Sequence, residues 1–106
     1  MKVIVKYPGE KLGHYAEVEN DLTKIQTLVG GFIETVTLSK TAVLICDEEG
    51  YIKNRKFNCY INNGFSHFTL LGTVVVAGVD EDGFTDCEMT LEEWEGMIDG
   101  EEQDFD

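Results

Sequence analysis

Cys59 and His67 stand eight residues apart and carry the side chains of a nucleophile and its base. A thiolate and an imidazole must meet in space to act. Eight residues across an Asn- and Gly-containing stretch do not impose that contact, so both read as ordinary structural residues, as does His14. Gly30-Gly31 has the composition of a phosphate cradle, because glycine turns expose backbone N–H groups. The pair follows a helix-grade segment, however, where carbonyl oxygens carry partial negative charge, so a helix stop is the better reading. Asp80-Glu81-Asp82-Gly83 suggests a calcium loop. With Gly83 at the sixth position, the first and twelfth positions fall on Gly78 and Met89, where acids are required, and the motif fails. Cys46, Cys59 and Cys87 have no CxxC spacing. No ligand set has usable spacing, so the chain is expected to need neither metal nor cofactor and to have no catalytic constellation.

Charge is the strongest signal. Residues 1–79 hold all eight Lys and Arg against eight acids, whereas residues 80–106 hold the other thirteen acids and no base. The formal charge of −13 therefore belongs to the last quarter of the chain. Such a field repels nucleic acid and anionic membrane and attracts basic protein surfaces. Solubility alone can also favour acids. Lys53, Arg55 and Lys56 form the one basic cluster, a poor nucleic-acid footprint beside that charge, and they read as a solvated turn or a partner for the acidic segment. Asp80, Asp82, Asp86, Glu88, Glu92, Glu93 and Glu95 are the candidate partner-binding residues, with Asp99 at their margin.

The elements that would position these residues follow from periodicity. Lys2–Tyr7 reads as a strand buried on both faces, and His14–Val18 as its hairpin partner after the Pro8-Gly9 turn. Asn20 or Asp21 caps a helix bearing Leu22, Ile25, Leu28 and Val29, and Gly30-Gly31 stops it. Phe32–Leu38 and Thr41–Cys46 are further strands, separated by Ser39-Lys40. Tyr51-Ile52 is expected to begin a short strand after the Asp47–Gly50 turn. The segment 58–66 sends mixed signals, its asparagines and glycine favouring a loop and its aromatics favouring packing. Leu70–Val79, rich in β-branched side chains, reads as one central strand. Thr90 and Glu93 form a capping box ahead of Leu91, Trp94, Met97 and Ile98, with Gly100 expected to end that helix. Trp94 should dock it.

Several of these residues resemble a known family. The run LVGGFIE (28–34) followed by VLICDEEG (43–50) is similar to domain-of-unknown-function family 3846. Asn58 after a polar, basic stretch, GTVVVAG (72–78) and LEEWEGMI near the end fit the same family. The resemblance spans roughly residues 1–98. It implies a setting, that of small proteins carried by phages, plasmids and integrated elements of bacteria, rather than a mechanism. The acidic last segment and the region 58–68 depart from the family pattern.

The expected fold is α+β: a small mixed or mainly antiparallel sheet of four to six strands, one helix on a face and a short C-terminal helix. Residues 1–100 should form a single domain and 101–106 an acidic disordered tail. With no secretory apolar region and no membrane span, the expected place is the bacterial cytoplasm, with reduced thiols. The expected function is non-enzymatic: an accessory protein that binds a basic protein surface through its acids, as a nucleic-acid mimic does, without binding nucleic acid or membrane. The alternative is a small-ligand or nucleotide-signal binder using the glycine turn and Lys53–Lys56.

Overall fold

The computed structural model describes residues 1–99. The expected disordered tail, 101–106, lies outside the described residues. The elements are β1 (Lys2–Lys6), β2 (His14–Glu17), α1 (Leu22–Val29), β3 (Ile33–Thr37), β4 (Ala42–Asp47), β5 (Phe57–Asn62), β6 (His67–Leu71), β7 (Val74–Asp80), β8 (Gly83–Thr85) and α2 (Leu91–Met97). The fold is α+β, with a six-stranded sheet ordered β2-β1-β7-β4-β3 and β8 also paired to β7. Every pairing is antiparallel, and β5 with β6 forms a separate hairpin.

Strand side chains alternate between the two sides of a sheet, so a strand buried on both sides must be apolar throughout. β1, β4 and β7 meet that condition between their ends, over Val3–Val5, Ala42–Cys46 and Val74–Val79. On one face Val3, Val5, Val43, Ile45, Val75 and Ala77 pack against Ile25 and Val29 of α1. On the other, Ile4, Leu44, Cys46, Val74 and Val76 pack against Cys59 and Ile61 of β5, Leu70 of β6, Cys87 and Trp94. The sheet is thus the middle of three layers, with α1 above and the β5–β6 hairpin and α2 below. All three cysteines are buried. Burial raises the Cys46 thiol pKa to about 11, with Glu34 and Asp47 adding to the effect.

Local chemistry sets the ends of the elements. Asp21 caps α1 by accepting from the Lys24 N–H, and Gly30, at φ 95°, closes it in the left-handed region. The capping box of α2 is formed in both directions between Thr90 and Glu93. Trp94 is fully buried, and its indole N–H donates to the Leu12 carbonyl at 2.7 Å, which docks α2 onto the β1–β2 connection.

The structure corrects three expectations and resolves one left open. Leu70–Val79 is two strands, because Gly72 takes a φ of 77° and turns the chain between β6 and β7. Tyr51-Ile52 lies in a turn, both residues exposed, rather than starting a strand. α2 stops at Met97 rather than at Gly100, because Ile98 leaves the helix to bridge antiparallel to Ile61 of β5. The ambiguous stretch 58–66 supplies most of β5 and the tip of its hairpin, where Asn62 and Asn63 side chains accept N–H bonds from Gly64, Phe65 and Ser66.

Candidate functional site

Asp80, Asp82, Asp86, Glu88, Glu92, Glu93 and Glu95 are all exposed, and they follow the chain through three kinds of structure. Asp80 ends β7, and its carboxylate accepts the Asp82 N–H across the tight β7–β8 turn at 2.8 Å. Asp86 accepts the Lys2 N–H at 2.8 Å, and the next residue, Cys87, donates its N–H to the Lys2 carbonyl. The strap carrying Asp86 and Glu88 is therefore pinned to the start of β1. Gly78 makes this close approach possible: a Cβ there would strike the Asp86 carbonyl. On α2, 100° per residue places Glu92, Glu93 and Glu95 away from the buried Trp94. Among the described residues, none of these seven acids has an ion-pair partner, and Asp99 is paired with His67 at 3.2 Å.

The basic residues behave differently. The Asp47 side chain is fully buried, and Lys53 and Arg55 reach its Oδ2 at 3.1 and 3.2 Å. Both cations also donate to the Gly30 carbonyl, at 3.2 and 2.8 Å, and so neutralise the negative end of α1. Burial pushes the Asp47 pKa up, but the Glu49 N–H and the two cations outweigh it and hold the group below its ordinary value. The diglycine makes room for this cluster, since a Cβ on Gly30 would meet the Arg55 guanidinium and one on Gly31 the Lys53 ammonium and Asp47. Both glycine N–H groups donate to the Gln26 carbonyl, so neither is presented to a phosphate. The helix-stop reading of Gly30-Gly31 holds. Lys53 and Arg55 pair with Asp47, and Lys53 also with Glu49 at 3.8 Å, rather than with the acidic segment.

A second polar knot closes the same end of the sheet. A register shift between Phe57 and Cys59 turns Asn58 inward. Its amide donates to the Lys6 and Gly72 carbonyls, each at 2.8 Å, and its oxygen accepts from the Lys6 ammonium at 2.9 Å. Lys6 is only 3% exposed, so this bond anchors a buried cation. Sequence reading missed both knots. The signals available were an acid closing an apolar strand and a lysine closing another.

Cys59 and His67 do not form a catalytic pair. Cys59 is buried in the core, whereas the His67 side chain is 70% exposed and turned to Asp99. His14 accompanies Glu10 at 2.7 Å and stacks near Tyr7. Among the described residues no group of three or more His, Cys, Asp or Glu is arranged to hold a metal ion, and no helix is long and apolar enough to cross a membrane.

A family model described as a domain of unknown function, DUF3846, matches residues 1–99. No curated protein and no solved structure matches the chain. The chain belongs to the DUF3846 family.

Proposed function

We propose that this DUF3846 protein is a binding protein that occupies a basic surface on a host or element-encoded protein, as a nucleic-acid mimic would. The observation that carries the reading is the contrast between the two charge groups. Lys53 and Arg55 are taken up within the fold by Asp47 and the end of α1. The acids from Asp80 to Glu95 are exposed and without ion-pair partners, yet they are tied to structure through the β7–β8 turn, the Lys2 contact and the α2 capping box. Charges held in place lose less freedom on association than charges on a flexible tail. Crowded like charges repel by a few tenths of a kcal/mol per helical i,i+4 pair, so stability does not favour an unbroken acidic run. The resemblance to mobile-element proteins supports a setting inside a bacterial host cell. The mode of action is binding rather than turnover.

The test is capture from bacterial lysate at low ionic strength with the wild type and with Glu88→Gln/Glu92→Gln/Glu95→Gln. A partner retained by the wild type, released by salt and lost with the triple variant supports the reading. Equal retention by both proteins would remove it.

A further inference from the structure

The basic end of the sheet carries a groove that the acidic face does not use. Two adjoining depressions, of about 490 and 300 Å3, share Pro8 and Lys56. The larger runs from Gly30 past Arg55 to Gly72 and Thr73, and the smaller reaches Gly9 and Phe57. Volumes of this order suit small molecules. Lys56 is exposed at the junction and, among the described residues, has no ion-pair partner. Arg55 uses Nε and one terminal nitrogen on Asp47 and Gly30, which leaves further donors of its five-donor fork. Its stem lies against Gly72, where a side chain would begin to crowd it. Counting Lys53, Arg55 and Lys56 against Asp47 and Glu49 leaves the groove one positive charge in excess.

The acids of the β7–β8 turn do not cancel that charge at a distance. Val74, beside the groove, and Asp80 sit at opposite ends of β7, a strand of seven residues. At roughly 3.3 Å per residue the separation is about 20 Å, beyond two Debye lengths at physiological salt. The groove walls away from the charge are Pro8 and Phe57, and the Phe57 ring packs 4.8 Å from that of Tyr60.

We propose that this groove binds a phosphomonoester carried on a small apolar ring. The phosphate lies on Lys56 and Arg55 with the Thr73 hydroxyl beside it, and the ring lies against Pro8 and Phe57. The proposal shares no residue with the acidic face, so either can fail without the other.

Phenyl phosphate is the probe, followed by backbone amide NMR on the full chain, with inorganic phosphate and phenol as its two halves. Saturable shifts are expected at Phe57, Gly72 and Thr73, with each half binding more weakly than the whole. Lys56→Ala should weaken binding by about tenfold, the worth of one charge-assisted hydrogen bond. Lys40→Ala, which removes an exposed lysine from the β3–β4 turn, should leave it unchanged. Lys56→Gln repeats the reading while keeping the polar stem. Absence of saturable shifts, equal affinity in the Lys56 variants, or an equal loss with Lys40→Ala would each overturn the proposal.

Discussion

Asp47 joins four parts of the molecule: the end of β4, the following turn, the Lys53–Arg55 loop and the diglycine after α1. Lys53 and Arg55 are 32% and 38% exposed at their side chains, so removing the carboxylate leaves them partly solvated rather than stranded. Asp47→Asn should therefore cost about 1.5–3 kcal/mol, the range for charged hydrogen bonds, and not the larger penalty of an orphaned buried charge. Chemical denaturation at pH 7 measures this. A carboxylate whose pKa is lowered by folding stabilises the fold above its unfolded pKa, and that contribution is lost as pH falls through the folded value. The ordinary value for Asp47 is 3.8, so the wild-type and Asp47→Asn stability curves should differ above about pH 4 and converge below it. Glu10, whose pKa is also lowered, contributes acid sensitivity in the same direction that this variant retains. This residue scale was the least legible in the sequence. Gly30-Gly31 was readable as a helix stop from local composition. The bases that fill the space left by those glycines lie more than twenty residues away, with no periodicity to connect them.

At the scale of elements, α2 depends on one side chain. With Trp94 fully buried and hydrogen-bonded to Leu12, Trp94→Ala should cost roughly 3–5 kcal/mol, a large share of a small domain's stability. A melting temperature within a degree or two of wild type would contradict the docked arrangement. Gly78→Ala tests the strap that follows β8. The obstructing atom is the Asp86 carbonyl, on a strap that Lys2 holds through the Asp86 carboxylate and the Cys87 N–H, and it has little room to yield. A loss of about 1–3 kcal/mol or more is expected in urea unfolding, without loss of α1. β1 to β4 and the Thr90–Glu93 box were legible, and the cap of α1 was legible to within one residue (Asn20 or Asp21), because alternation and capping are local rules. The division of Leu70–Val79 was not, since its apolar run is continuous and the turn depends on a backbone angle at Gly72. The hairpin 57–71 was hidden for the opposite reason. Its asparagines favour a loop and do form one, but only at the tip.

At the scale of the whole molecule, charge is arranged along the strands, with the partnered bases and the groove at one end and the Asp80–Asp82 turn at the other. Sequence reading located the acids and their imbalance. It did not show that Asp86 also accepts the Lys2 N–H, because that contact depends on where β1 lies. Unfolding curves with and without a chelator should superimpose, since the Asp80 carboxylate is already engaged by the Asp82 N–H. A large drop in the midpoint would reinstate the turn as a metal site. Association kinetics with the captured partner test the acidic face most directly. Steering by exposed charge falls with ionic strength, with a Debye length of about 8 Å at physiological salt. The wild-type association rate should therefore drop steeply as salt rises. Glu88→Gln/Glu92→Gln/Glu95→Gln should associate more slowly at low salt and show a flatter dependence. Equal rates and equal salt slopes for the two proteins would contradict the account.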